Sequence, residues 1–335
     1  MVVLLTVLLT VSSCSSIGVP FLRVLFNKEA DKLNKNLAQY VPNGITQVLD
    51  EQYNPNSKSG YLDVYYPDGV RPAETLPTIV WIHGGGWIAG NKDQIANYAR
   101  ILAGNRYTVV VVEYTLAPKE HHPYQLAEIN KAIAFLLNNA GRFHINTAKI
   151  LLAGDSAGAS LSAQLAVAIS EPSYADLINL QPALTLEQLI GVILYCGPYD
   201  INLFDSEAKS SGFVNFISRV YSGEKDFLNA PSFKPVSVAR YVTANFPPAF
   251  ISVGNHDPLQ VHSAVLAQTL DSFGVLTDTL FFPKEYLPKL PHEYQFNLNE
   301  SAGQLALKRT IAFIEGRCKA KDDESAKSTQ ETQKE

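Results

Sequence analysis

The chain is expected to fold as an α/β protein, with a mostly parallel central sheet flanked by helices. Short continuous apolar runs, such as Tyr107 to Val112, suit strands buried on both faces. These runs alternate with longer helix-compatible stretches, and that alternation implies parallel strands joined by right-handed crossovers. The chain has 335 residues, 46% of them hydrophobic, enough for one such domain with extensions.

Residues 1–14 stand apart from the rest. Val2 to Val11 is apolar except for its threonines. It is too short for a spanning helix, which needs about 20 residues, but it suits the apolar region of a signal peptide. Val11-Ser12-Ser13-Cys14 matches the aliphatic–small–small–Cys pattern of a bacterial lipoprotein cleavage site. Cys14 would then be the lipidated first residue of an exported protein, anchored stably by several acyl chains. Against this, a signal peptide should carry a Lys or Arg before its apolar run, and none precedes it here. The alternatives are therefore a weak anchor, a periplasmic protein or a cytoplasmic one.

Residues 15–60 form an N-terminal extension, and 61–316 the main domain. Strands are expected near 61–66, 78–82, 108–113, 150–154, 191–195, 250–253 and 278–282. Helices are expected near 93–104, 124–140, 157–170, 260–273 and 301–316. One section, about 200–248, is far longer than a usual connection. It is rich in aromatics, among them Phe204, Phe213, Phe216, Tyr221, Phe227 and Phe233. They either pack a satellite core or line the inner face of a lid, and both can hold together. The tail 317–335 is charged and nearly without apolar residues, and is expected to be disordered. A net charge of −5 and a pI near 5.8 argue against nucleic-acid binding.

Gly154-Asp155-Ser156-Ala157-Gly158 lies where the apolar run ending at Ala153 meets a helix-compatible run. This is Gly-x-Ser-x-Gly at a strand-to-helix turn. A nucleophilic serine must stand clear of its own backbone, and such a turn lifts its Oγ out. The glycines remove side chains that would collide there. The helix aims its first amides, Ala157 among them, at an oxyanion formed beside Ser156. Upstream, the run Thr78 to Ile82 ends in His83-Gly84-Gly85-Gly86-Trp87. A phosphate loop would need Gly-Lys-Ser/Thr after the glycines, and a dinucleotide loop a different glycine spacing. An oxyanion loop fits better, because acyl transfer needs further donors beside Ala157.

Together these motifs resemble the hormone-sensitive-lipase-like branch of the α/β-hydrolases, the carboxylesterases with paired HGGG and GDSAG motifs. The resemblance runs from about Tyr61 to about Glu315. Glu113-Tyr114-Thr115-Leu116-Ala117-Pro118 resembles the family's Asp-Tyr-Arg-Leu-Ala-Pro, with Glu113 and Thr115 as departures. The resemblance implies the α/β-hydrolase fold, a lid insertion at about 200–248 and a cap helix within the N-terminal extension. It also implies a serine esterase taking probes of short acyl chain.

The triad should follow in the order Ser, acid, His. Asp257, in Asp257-Pro258-Leu259 after the run Phe250 to Val253, resembles the family's acid. His292 lies in a Pro-rich loop after the last expected strand, where the family carries its histidine. The site then comprises Ser156, Asp257 and His292, with the amides of Gly85, Gly86 and Ala157 as oxyanion hole. His83, Gly84 and Asp155 support the motifs. No metal or cofactor is expected, since neither His-Glu-x-x-His, Cys-x-x-Cys nor a P-loop occurs. His121 and His122 are expected to be solvated, and His144 to lie at the surface. Glu285, Glu293 and Asp278 read as solvated carboxylates. Cys196 reads as an inert buried residue, and its pairing with Cys318 stays open. An amidase or aryl formamidase would use the same triad, whereas a non-catalytic binding protein would be expected to have lost part of it.

Overall fold

The computed structural model describes residues 15–204 and 211–332. Cys14 and the apolar run before it lie outside the described residues, so the lipidation expectation is not addressed by the fold. No described helix is long and apolar enough to cross a membrane.

Eight strands form one sheet in the order β1-β2-β4-β3-β5-β6-β7-β8. They are β1 (Ile45–Gln52), β2 (Tyr61–Pro67), β3 (Leu76–Ile82), β4 (Thr108–Val112), β5 (Ile145–Asp155), β6 (Leu189–Tyr195), β7 (Ala249–Val253) and β8 (Thr277–Phe281). β1 and β2 are antiparallel, β2 pairs antiparallel with β4, and the rest are parallel. Seven of these strands match the sequence expectation. β1 does not, because its residues are half-buried or exposed and a bulge interrupts its alternation between Val48 and Glu51. An edge strand of this kind leaves no clear period-two pattern.

Side chains alternate across the sheet into two apolar layers. On β5, Leu152 faces one layer while Leu151 and Ala153 face the other; on β6, Val192 and Leu194 oppose Ile193 and Tyr195. α3 (Tyr124–Asn138), α4 (Ala157–Ser170), α5 (Pro172–Leu177) and α7 (Gln260–Ser272) cover the first layer. α2 (Ala96–Ala103) and the start of α8 (Ser301–Thr332) cover the second. α1 (Ser15–Leu37) runs across the carboxyl end of the sheet, burying Val19, Leu22 and Leu37.

Two expectations are corrected. α8 continues to Thr332, through the stretch expected to be disordered. That stretch holds many good helix formers, Lys, Ala and Glu, and extends a helix already nucleated by packing. Lys149 Nζ also pairs with Asp322 at 2.5 Å. His122 is buried, not solvated: its ring bonds Gln164 Oε1 at 2.8 Å and Ser232 O at 3.0 Å. Burial lowers its pKa to about 4. The 200–248 section folds over it, with Tyr221 and Phe233 against its ring.

That section includes α6 (Ser211–Ser222) and several short 3-10 turns. Its aromatics divide between two tasks. Tyr221, Phe227 and Phe233 pack into the core, with Tyr221 stacked on Trp87 at 4.4 Å. Phe204 and Phe213 face a cavity above Ser156.

Candidate active site

The strand register brings the two glycine motifs together. Ile82, the last residue of β3, pairs with Gly154 near the end of β5. The chain leaves β3 toward β4 on one side and reaches β5 on the other. A crevice at the carboxyl ends is expected where strand order reverses in this way.

Ser156 sits at the β5–α4 turn with φ 50° and ψ −119°, a strained conformation for a residue with a side chain. Its amide donates to Tyr195 O at 2.8 Å, which ties the turn to β6. The turn is possible because Gly158 has no Cβ: one would lie 2.0 Å from Ile82 O and 2.6 Å from His83 O.

His292 Nε2 lies 3.0 Å from Ser156 Oγ, and Nδ1 lies 2.9 Å from Asp257 Oδ2. Asp257 Oδ1 accepts the Leu259 amide at 2.8 Å. Asn255 locks the acid loop to the histidine loop, accepting Leu290 N at 2.9 Å and donating to Pro283 O and Tyr286 O at 3.0 Å. The structure thus brings the three expected residues into one hydrogen-bonded chain. Burial disfavours the His292 cation, but the Asp257 carboxylate favours it by its charge and its hydrogen bond. The balance holds its pKa well above the ordinary 6.5.

Asp155 joins the motifs directly. Its Oδ1 accepts the Trp81 indole N–H, and its Oδ2 the Gly84 amide, both at 2.8 Å. Burial, then the charge of Glu293, push its carboxyl up to about 8, against the pull of those two donors. With Gly84 committed, the amides of Gly85, Gly86 and Ala157 remain; none has a hydrogen-bond acceptor among the described residues. Gly85 has φ +109°, which only glycine adopts readily. His83 is buried and stacked on Tyr114, with Nδ1 2.8 Å from Gly84 O. Burial lowers its pKa to about 4, so it stays neutral beside the loop.

Helix α1 also shapes the site, and its individual contacts were not foreseen. Arg23 donates to Ile88 O at 2.5 Å and Ala117 O at 2.8 Å, and Asn27 Oδ1 accepts the Gly90 amide at 3.0 Å. A lone Arg within the apolar run Ile17 to Phe26 was the only trace of this in the sequence. With α6, the helix encloses a cavity of about 590 Å³ over Ser156, lined by Phe26, Leu33, Phe213 and Ile217. Among the described residues, no Lys or Arg lines it.

Cys196 and Cys318 are free, the first buried and the second partly so. Burial pushes the Cys196 thiol up to about 12. Cys196 falls close to Asp257 and His292, with one ligand-capable atom of each within 4.8 Å of the others.

The BD-FAE family model matches residues 62–270. Carboxylesterase NlhH of Mycobacterium tuberculosis is 29% identical over 218 residues, which cover 63% of this chain and 65% of that protein. Esterase B of Lactobacillus rhamnosis, solved with an inhibitor, superposes with a TM-score of 0.79 at 23% identity, covering 92% of this chain and 98% of that one. A Pyrobaculum calidifontis esterase superposes with a TM-score of 0.69 at 21% identity, covering 90% and 93%. The structural likenesses establish the α/β-hydrolase fold, and the family match spans more than half of the chain. The chain therefore belongs to the BD-FAE family, among the hormone-sensitive-lipase-like carboxylesterases of the α/β-hydrolase fold.

Proposed function

We propose that this carboxylesterase works through an acyl-enzyme on Ser156. The hydrogen-bonded chain Ser156–His292–Asp257 carries the proposal, with distances of 3.0 and 2.9 Å. Ser156 Oγ attacks the ester carbonyl and His292 Nε2 takes its proton. Asp257 orients the imidazole and stabilises its cation. The amides of Gly85, Gly86 and Ala157 receive the oxyanion; losing one such donor costs roughly 2.7–4 kcal/mol of transition-state stabilisation. The imidazolium protonates the leaving alcohol, and water then cleaves the acyl-enzyme with His292 again as base.

The apolar walls of the cavity, among them Phe26, Leu33, Phe213 and Ile217, suit neutral esters. Short acyl chains are favoured, in keeping with the capture of Lactobacillus esterase B by a C4-C4 tributyrin phosphonate. Hydrolysis of p-nitrophenyl acetate and butyrate by wild type, Ser156→Ala and His292→Ala tests the mechanism. Wild type should turn over while both variants fall by several orders of magnitude without unfolding. An inert wild type, or an active Ser156→Ala, would sink it. A p-nitroanilide cleaved faster than the matching ester would move the reading to an amidase. Optimal activity at twelve carbons or longer would reject the short-chain preference.

The pattern Val11-Ser12-Ser13-Cys14 further supports export with lipidation at Cys14. Metabolic labelling with radioactive palmitate in a bacterial host, compared with Cys14→Ala, would decide it; equal labelling of the two rejects the anchor.

A further inference from the structure

Glu293 follows the histidine directly, and the sequence alone reads it as a solvated loop carboxylate. The structure places it elsewhere. It lines the cavity over Ser156, with its side chain about one-fifth exposed. Its Oε1 lies 3.8 Å from His292 Nε2, on the nitrogen that serves Ser156 and not the one that faces Asp257. The carboxylate accepts no hydrogen bond from any described residue. Room for it comes from Gly84, where a Cβ would stand 3.2 Å from Oε1.

The backbone holds it there. Glu293 has φ +59°, in the left-handed region that glutamate rarely adopts, and its carbonyl accepts the Phe296 amide at 3.1 Å. Conformational strain of this kind persists where the surroundings over-determine a residue, and it gathers at functional sites. A carboxylate beside a forming oxyanion also opposes the transition state through space. Its presence therefore calls for a contact that only an acceptor in this position can make.

Building on the Ser156 acyl-enzyme reading, we propose that Glu293 is a catalytic residue for deacylation, holding the attacking water jointly with His292. Two acceptors 3.8 Å apart are within reach of the two hydrogens of one water molecule, each at about 2.8 Å from the water oxygen. One hydrogen faces His292 Nε2 and the other Glu293 Oε1, which leaves a lone pair for the acyl carbon. The water oxygen bonds to that carbon as one proton passes to Nε2. The other proton stays on the added hydroxyl, still donating to Glu293. The tetrahedral intermediate then breaks its bond to Ser156 Oγ, the imidazolium returns its proton to Oγ, and the carboxylic acid leaves. An alcohol has a single hydroxyl proton, which Nε2 takes, so Glu293 assists water and not alcohols.

This difference supplies the test. Full-length wild type, Glu293→Gln and Glu293→Ala are given p-nitrophenyl acetate with methanol as a competing acceptor. Methyl acetate and acetate are then measured by gas chromatography. Their ratio reads the acyl-enzyme alone, whichever step limits turnover. In Glu293→Ala the ratio should rise about tenfold, the effect of losing one hydrogen bond to a charged group, with Glu293→Gln between it and wild type. Acylation, read as kcat/KM, should hold or rise, since losing the carboxylate relieves its repulsion of the oxyanion, while kcat falls and a burst of p-nitrophenolate appears or grows. An unchanged ratio in both variants overturns the proposal, as does kcat/KM falling as far as kcat, which would mark a structural role. If Ser156→Ala turns over p-nitrophenyl acetate as wild type does, the parent mechanism fails instead, and the two failures are distinguishable.

Discussion

Gly158→Ala tests whether the nucleophile turn and the oxyanion loop are one mechanical unit. A Cβ at 158 would stand 2.0 Å from Ile82 O and 2.6 Å from His83 O. An ordinary carbon–oxygen contact needs about 3.3 Å, so about 1.3 Å must be found. Neither neighbour yields easily. Ile82 is paired within the β3–β5 ladder, and His83 O accepts the Tyr114 hydroxyl at 3.0 Å. The strain therefore separates α4, which begins directly after Ser156, from the end of β3, which carries Gly84 to Gly86. Overpacking of this sort costs about 1–3 kcal/mol of stability. A displacement of about 1 Å between nucleophile and oxyanion donors can cost on the order of 10²-fold in rate. The assay is kcat/KM for p-nitrophenyl acetate beside a urea melt. Gly316→Ala is the control, since its Cβ meets nothing within 4 Å and lies in α8. The control should keep full activity and gain about 0.5–1 kcal/mol. Gly158→Ala retaining activity within threefold of wild type would refute the coupling.

Three further outcomes follow from the same geometry. In the proposed mechanism neutral His292 is the base, and its pKa is held well above 6.5, so kcat/KM should climb with pH along a limb lying above the ordinary histidine range; a limb centred below pH 6.5 would contradict this. Arg23→Ala strips donors from Ile88 O and Ala117 O, at about 1–3 kcal/mol for each orphaned carbonyl, less what water recovers at this half-buried site. Stability should fall by about 2 kcal/mol and KM rise several-fold as α1 loosens, and wild-type values of both would argue against a structural role for α1 in the pocket. With its thiol pushed up to about 12, Cys196 should resist iodoacetamide in the native protein while Cys318 reacts; peptide mapping that finds Cys196 labelled first would refute its burial.

Much of the sheet was legible in the sequence because buried parallel strands are short and continuously apolar. β5 and β6 announce themselves in this way. β1 does not, since an exposed, bulged edge strand has no such constraint. The candidate site was legible where sterics act within a few residues. Gly154 to Gly158 and His83 to Gly86 each encode a backbone path in a short window. His292 and Asp257 were reached through chain order and family resemblance, and the structure places both beside Ser156.

Chain order and family resemblance supplied Asp257 and His292, whereas local sequence alone carried the α/β class and the two glycine turns. These depend on local covalent geometry and on hydrophobic period, which a short segment expresses without its partners. Only the tertiary structure decided that Asp155 bridges Trp81 and Gly84, that Arg23 reaches Ile88 O across 65 residues, and that Glu293 turns toward His292. The reason is physical. Several of these bonds end on backbone groups, which every residue carries alike. A polar side chain finds such a partner only after the chain has folded, so its own letter does not reveal which one it takes.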